Sequence, residues 1–292
     1  MMDARKLTLE LGGRWHGRYG TAPCPVCQPE RRRGQNALTV ADGATGLLAH
    51  CKRAGCDFRD ILAAAGLRAG DYAPPDAVML ARREAERRAE AEKRAAQAQR
   101  IWNKARPVAG TVAEAYLRGR GIACPLPATL RFHPACFHGA SGQRFPALVG
   151  LVEGGDGFAL HRTWLAPDGT AKAPVTPAKA MLGAAAGGVV RLTEGPGRLI
   201  IGEGIESTLS ALALLDDCTA CAWAGLSTSG MRGLRLPAEP GRLTIAPDGD
   251  APGREAAHAL AERAHALGWH VSLFEPRAGL DWNDELQERA AA

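Results

Sequence analysis

An α/β chain is predicted, with α+β character in its N-terminal parts and a largely parallel sheet in its last third. Three observations predict it. From Arg198 onward, short apolar runs alternate with helical stretches, the pattern of parallel strands covered by helices. Well ahead of them, four cysteines fall in two close pairs. Between the two regions lies a long stretch of Ala, Glu and Arg with little apolar stripe. At 292 residues the chain has room for about two domains and a connector. The composition divides it into residues 1–70, 71–106, 107–195 and 196–292.

The first part contains Cys24-Pro25-Val26-Cys27 and Cys51-Lys52-Arg53-Ala54-Gly55-Cys56, with short strands expected at Ala37–Val40 and Gly46–His50. Two close cysteine pairs on turns separated by a hairpin present four thiolates to one Zn²⁺, the pattern of a zinc ribbon. Cys24, Cys27, Cys51 and Cys56 are therefore the expected zinc ligands, and a closed four-ligand site is structural. His50 is left out, because adjacent residues on a strand point to opposite faces. Arg31, Arg32, Arg33, Lys52 and Arg53 lie on the same module and are candidate phosphate contacts.

After Pro74-Pro75, the run from Ala81 to Arg94 combines strong helix formers with glutamates and cations three or four apart, which predicts a solvated helical linker. From Pro107 a mixed region begins. A short helix is expected over Thr111–Leu117, and strands over Phe145–Val152 and Gly157–Trp164, joined at a Gly-Gly-Asp-Gly turn.

In the last part, Leu199-Ile200-Ile201-Gly202 ends in Glu203-Gly204, and Leu243-Thr244-Ile245-Ala246-Pro247 ends in Asp248-Gly249-Asp250. Ligands of open α/β sheets bind outside the carboxyl ends of the strands. Carboxylates gathered there are hard oxygen ligands suited to Mg²⁺ or Mn²⁺ and to phosphoryl chemistry. A helix over Pro252–Leu267 is expected to bury Ala257, Leu260, Ala261, Ala264 and Leu267 and to stop at Gly268, before a last strand at His270–Phe274. Cys218-Thr219-Ala220-Cys221 is read as small residues entering the sheet.

The net charge of +5 favours a polyanionic partner. No signal-peptide core and no apolar run of ~18 residues is present, so the chain is read as cytoplasmic, with no membrane partner and with reduced cysteines. No G-x-x-x-x-G-K-[ST] motif is present, which excludes a fused P-loop helicase from this sequence.

Glu203-Gly204 after one apolar strand and Asp248-Gly249-Asp250 after a second resemble the Toprim domain of DnaG-like primases, topoisomerases and some nucleases. Pro252–Ala257 is similar to the helix after the primase aspartate pair, and Ala224–Ser229 to the small-residue loop between the two motifs. Upstream, Ala115–Ile122 is similar to the opening of the primase polymerase core, and Arg144-Phe145-Pro146 to the start of its mixed sheet. A zinc ribbon in front completes the primase order. Many relatives carry Cys-His-Cys-Cys ligands, whereas this chain offers four cysteines, and it ends without a helicase-binding bundle.

The resemblance implies a compact phage or plasmid DNA primase that joins nucleotides on a single-stranded DNA template, with a separate replicative helicase as partner. It implies Mg²⁺ or Mn²⁺ at Asp248, Asp250 and Glu203, with Glu203 a ligand or a proton acceptor. Asp281 and Asp284 fall where primases carry further acidic residues, and Glu206 supports from the first helical turn. Arg120, Arg144, Arg162, Lys172 and Lys179 are the expected cations for NTPs and template, with His161 either a partner or a hydrogen-bonded structural histidine. Trp164 and Trp282 are candidate base-stacking platforms, and Trp223 is read as core. Two other readings use the same residues: a Toprim-type metal-dependent nuclease, and a non-catalytic zinc-ribbon factor that binds single-stranded DNA. A topoisomerase would need a nucleophilic tyrosine, and the chain offers only Tyr19, Tyr72 and Tyr116.

Overall fold

The computed structural model describes residues 2–43, 46–68, 71–73, 75–277 and 280–291. The boundary expected at residue 70 and the turn residue Pro74 lie outside them. The chain divides into two compact units, Met1–Glu90 and Ala91–Ala292. Among the described residues no helix is long and apolar enough to cross a membrane.

The first unit is an antiparallel meander of β1 (Arg14–Trp15), β2 (Tyr19–Ala22), β3 (Leu38–Asp42) and β4 (Leu47–Cys51). It is packed by α1 (Ala4–Glu10), α2 (Phe58–Ala64) and the start of α3 (Ala77–Lys104). Alternation along β3 sends Leu38 and Val40 into a core with Leu7, Leu11 and Ile61. The two expected strands are thus present, each shifted one or two residues onward.

The charged helix is longer than its sequence pattern suggests, and it is tied down at both ends. In the first unit, Arg83 bonds Asp3 at 2.8 Å and Asp42 at 3.0 Å, and all three side chains are largely buried. Tyr72 adds a hydroxyl on Asp42. Removing one partner of a buried ion pair strands the other charge, at a cost of about 3–5 kcal/mol. Arg83→Ala should therefore lower the stability of this unit by about that amount, read by denaturant unfolding, whereas exposed Arg88→Ala should change it little.

The second unit holds two sheets. After β5 (Arg106–Pro107) and α4 (Val112–Gly119), β6 (Leu130–His138), β7 (Gln143–Val152), β8 (Ala159–Trp164) and β9 (Lys179–Gly183) form an antiparallel sheet in sequence order. Its Leu160 and Trp164 face packs on the last turns of α3 through Ala98, Ile101 and Trp102. That packing corrects the picture of a wholly solvated linker.

Next come β10 (Val190–Thr193), β11 (Leu199–Gly202), α5 (Ile205–Leu215), β12 (Cys221–Ala224) and α6 (Thr228–Gly233). The chain closes with β13 (Arg242–Ala246), α7 (Ala251–Ala266), β14 (His270–Leu273) and α8 (Trp282–Ala291). The sheet order is β10-β12-β11-β13-β14, parallel except for β10. One core joins the two sheets through Tyr116, Leu148, Val152, Ile200, Ile205 and Leu209.

Three local expectations are revised. Thr228 and Ser229 begin a six-residue helix rather than sitting in a loop, with Ser227 capping it. Cys221 opens β12, but Cys218 is exposed. Leu267 is exposed because α7 ends at Ala266, while Ala257, Leu260 and Ala264 are buried.

Candidate active site

Glu203 follows the last residue of β11, and Asp248 stands two residues beyond the end of the adjacent parallel strand β13. The neighbouring ends of two central strands thus place both at the carboxyl edge of the sheet. Glycine permits the close fit here. A Cβ on Gly202 would lie 2.3 Å from the Thr208 hydroxyl, and one on Gly249 would lie 2.4 Å from the Leu280 carbonyl. Larger residues would push α5 off the strand end or open the Asp248–Asp250 turn.

The carboxylates sense one another. Burial, then Asp248 and Asp250, push Glu203 up to about 7, against the pull of Lys179 and the Thr228 N–H. Burial also raises Asp248, opposed by the Ser207 hydroxyl and Lys179 and reinforced by Asp281 and Asp250. Asp248 Oδ1 is buried without a hydrogen-bond partner among the described residues. An orphaned carboxylate oxygen beside two more carboxylates is a deficit of positive charge that a divalent cation would fill. These residues fit Mg²⁺ or Mn²⁺. They do not form a closed cage, since among the described residues only the four cysteines bring three or more ligand atoms within 4.8 Å. Mg²⁺ characteristically takes one or two carboxylates and completes its sphere with water and substrate phosphates.

The remaining acidic candidates separate. Asp250 caps α7 by accepting from the Gly253 N–H at 2.7 Å, which occupies one oxygen. Asp281 accepts from the Asn283 and Asp284 N–H groups at 2.8 and 2.9 Å, and Asp284 accepts in return from the Asp281 N–H at 3.0 Å. This reciprocal arrangement is a capping box at the start of α8. Asp281 still raises Asp248, so it borders the site, whereas the Asp284 carboxylate is taken up by the helix start.

The cations also divide. Lys172 lies within the loop between β8 and β9, Lys179 opens β9, and His138 anchors that loop by donating from Nε2 to the Pro177 carbonyl at 3.0 Å. Lys179 pulls both Glu203 and Asp248 down, so it faces the carboxylates. Lys172 lies 3.8 Å from Glu206, and burial first, then Lys179 and Arg120, lower it against the opposing effect of Glu206. Arg120 stacks over Tyr116 at 5.6 Å, with its Nε buried and unpartnered among the described residues.

Arg162 is not brought to this cluster. Its guanidinium lies 4.8 Å over the Trp164 ring and bonds the Met181 carbonyl, on the sheet face packed by α3, whereas its neighbour His161 lies beside Glu206. Arg144 is exposed at the start of β7, bonded to the Ala135 carbonyl and over the Phe137 ring.

The tryptophans are corrected too. Trp164 is 2% exposed and Trp282 fully buried, so neither offers a face to bases; Trp223 is core as expected. Trp282 donates to the Pro247 carbonyl at 2.8 Å and stacks on Phe274, bracing the turn that carries Asp248. Trp282→Ala should cost about 3–5 kcal/mol of stability in thermal or denaturant unfolding. Adding single-stranded DNA should leave the Trp282 contribution to fluorescence unchanged, since the ring is sealed off.

In the first unit, the four cysteine sulfurs lie within 4.8 Å of one another, with Cys27 and Cys51 3.6 Å apart. A tetrahedral ion with metal–sulfur bonds of about 2.3 Å requires sulfurs about 3.8 Å apart, so the set fits Zn²⁺. Burial raises Cys51, but the N–H groups of Ala54, Cys56 and Arg53 outweigh it and hold the thiol at about 6. Burial and the other three cysteines push Cys27 up to about 12. Four crowded sulfurs with one already favoured as thiolate suit a cation at their centre. His50 is exposed on the sheet surface beside Phe58 and takes no part.

Adjacent parallel strands ending in Glu203 and Asp248-Gly249-Asp250, with α5 and α7 behind them, coincide with a known family. Residues 198–292 are a Toprim domain. Residues 92–192 match a domain of unknown function, DUF7146. Ahead of the Toprim domain, α4, β6–β9 and β10 thus belong to a recurrent unit whose activity that match does not state.

Three solved structures are similar. The zinc-binding and RNA polymerase domains of Aquifex aeolicus primase match at 12% identity with a TM-score of 0.44, over 98% of this chain and 80% of that one. A DNA primase domain from Pseudomonas aeruginosa matches at 16% identity and 0.41, over 67% and 74%. The primase fragment of the bacteriophage T7 primase-helicase matches at 12% identity and 0.38, over 64% and 70%. No curated protein matches the chain.

Sequence reasoning missed Tyr116 and Ser207 at the Toprim site, and gave Glu206 only a supporting place. The polar run Glu206-Ser207-Thr208 heading a helix that is apolar from Ala211 onward was the available signal.

Proposed function

We propose that this chain is a DnaG-like DNA primase of a phage, plasmid or other mobile element, making short primers on single-stranded DNA by metal-dependent nucleotidyl transfer. One observation carries this reading: within the second unit, Glu203 and Asp248, with Asp250 beside them, face Lys179, and Lys179 in turn neighbours Lys172, which is paired with Glu206 and lies near Arg120. A nucleoside triphosphate needs that division of labour, with cations for its β and γ phosphates and carboxylates for the metal at its α-phosphate.

In the reaction, the primer 3′-oxygen forms a bond to the α-phosphorus while the bond to the bridging oxygen breaks, pyrophosphate leaves, and the hydroxyl proton passes to solvent or a carboxylate. Mg²⁺ or Mn²⁺ held by Asp248, Asp250 and Glu203 would supply charge neutralisation at the attacking and leaving oxygens. Lys179 and Lys172 orient the triphosphate, and Trp282 and Ser207 keep Asp248 in register.

In this reading, residues 1–70 form a zinc ribbon that engages template, 71–106 a connector, 107–195 the nucleotide- and template-binding half of the core, and 196–292 its metal-binding half. A separate replicative helicase supplies the single-stranded template.

A topoisomerase role is disfavoured by the tyrosines. Tyr116, beside the Toprim site, is 1% exposed, and its hydroxyl is held by Glu206 and kept well above the usual range by burial first and then by that carboxylate. It cannot reach a phosphodiester.

The deciding experiment is incorporation of labelled nucleotides on circular single-stranded DNA with Mg²⁺ or Mn²⁺, with the unlabelled template checked for breaks. Short template-dependent products establish a primase. Broken template without products makes the site a nuclease. Intact template that is bound but not copied points to a recruitment factor.

A further inference from the structure

Glu206 is a carboxylate with no obvious reason to be buried. It sits in the first turn of α5, 4% exposed, among Ile205, Leu209 and Tyr116 of the shared core. A buried charge is costly unless it is paired and hydrogen-bonded. Here a single oxygen, Oε1, accepts the Tyr116 hydroxyl at 3.0 Å and lies 3.8 Å from Lys172 Nζ. The other nearby ring, His161, does not supply the countercharge. Burial first, aided by Lys179, Arg162 and Lys172, holds it down at about 4 against the effect of Glu206, so it is neutral at physiological pH. The charge of Glu206 is met by Lys172 and Lys179.

The lysines need it in turn. Lys172, Lys179 and Arg120 crowd one another, and Lys172 is partly withdrawn from water. Without an anion between them, such cations lose charge or swing out to solvent. The next residue, Ser207, sits against Asp248. One helical turn therefore supports both halves of the site: Ser207 the metal half and Glu206 the cation half.

We infer that Glu206, fixed by the Tyr116 hydroxyl, is a positioning residue that holds Lys172 charged and aimed for the polyphosphate of the incoming nucleotide. This rests on the primase reading of the same site. Glu206 touches neither metal nor nucleotide. It acts through Lys172, which hands its charge to the β and γ phosphates when they arrive.

The test uses the full chain with Glu206→Gln, Glu206→Asp and Tyr116→Phe. Gln keeps the shape and can still accept the Tyr116 bond, so it removes only the charge. Glu206→Gln should raise KM for nucleoside triphosphate about 10- to 100-fold, the scale of losses for orienting partners, with kcat within about threefold. Glu206→Asp should recover most of the loss, and Tyr116→Phe should fall between. Equilibrium binding of a fluorescent nucleoside triphosphate with Mg²⁺ should weaken in the same order.

An unchanged KM with a lowered melting temperature would make Glu206 a structural residue only. A lowered KM would mean that it competes with the triphosphate, and would overturn the inference. Should wild type incorporate no nucleotide, the primase reading fails by that result alone. The binding series still decides the role of Glu206: equal affinity in wild type and Glu206→Gln refutes it.

Discussion

Asp248→Asn and Glu203→Gln should each reduce templated nucleotide incorporation by more than about a hundred-fold, beyond the 10- to 100-fold typical of groups that merely orient metal ligands. Both substitutions preserve shape and remove one negative charge. For Asp248 the change strikes an oxygen that is buried without a hydrogen-bond partner among the described residues. Stability should hold or rise, because burial first and then mutual repulsion push Glu203 up to about 7, and a neutral side chain relieves both. Loss of activity together with unchanged or higher melting temperature is the expected signature of a charge cluster built for a cation. Paired measurement of incorporation and melting checks it, and an active Asp248→Asn enzyme would remove these carboxylates from the chemistry. Asp284→Asn provides the contrast. Its carboxylate serves the start of α8, so it should lose less than about 1.5 kcal/mol of stability and retain most activity.

Cys51→Ser, or removal of zinc by a strong chelator, should unfold the first unit while leaving the second largely intact. Binding of Zn²⁺ at structural sites in small domains contributes about 10–16 kcal/mol, more than a unit with one small core is expected to hold in reserve. Cys51 is the most damaging position to change, because three backbone N–H groups converge on its sulfur and would be left facing a poorer acceptor. The check is metal content by elemental analysis, about one zinc per chain in wild type and none in the variant, combined with limited proteolysis. Cleavage should concentrate before residue 90, since residues 91–292 are held by their own two large cores. A metal-free protein with a protected N-terminal unit would show that the cysteines do not depend on an ion.

Much of this was legible along the chain. Motif spacing located the cysteine quartet, because thiolates on paired turns need only a few intervening residues to converge. Alternating apolar runs located the parallel strands, and the carboxylates at their ends marked the candidate site. The α/β class followed from local pattern, which carries that information directly.

The face to which a residue belongs was not legible. His161 and Arg162 are neighbours, and strand geometry dictates that they diverge. Only the packing of α3 on one side and of α5 on the other decides that His161 meets the site while Arg162 meets Trp164. Trp164 and Trp282 likewise carry no sign in the sequence of whether their rings meet bases or core.

The sequence by itself determined the order of parts, the identity of the candidate metal-binding side chains and the sign of charge at each strand end. Those are properties of residue type and short spacing. The tertiary structure alone decided which charges meet. Asp281 borders Asp248 whereas Asp284, three residues on, turns back to its own helix. Glu206 is drawn to Tyr116 and Lys172, far away along the chain. Electrostatic energy depends on separation in space and on burial, and neither is a function of distance along the sequence.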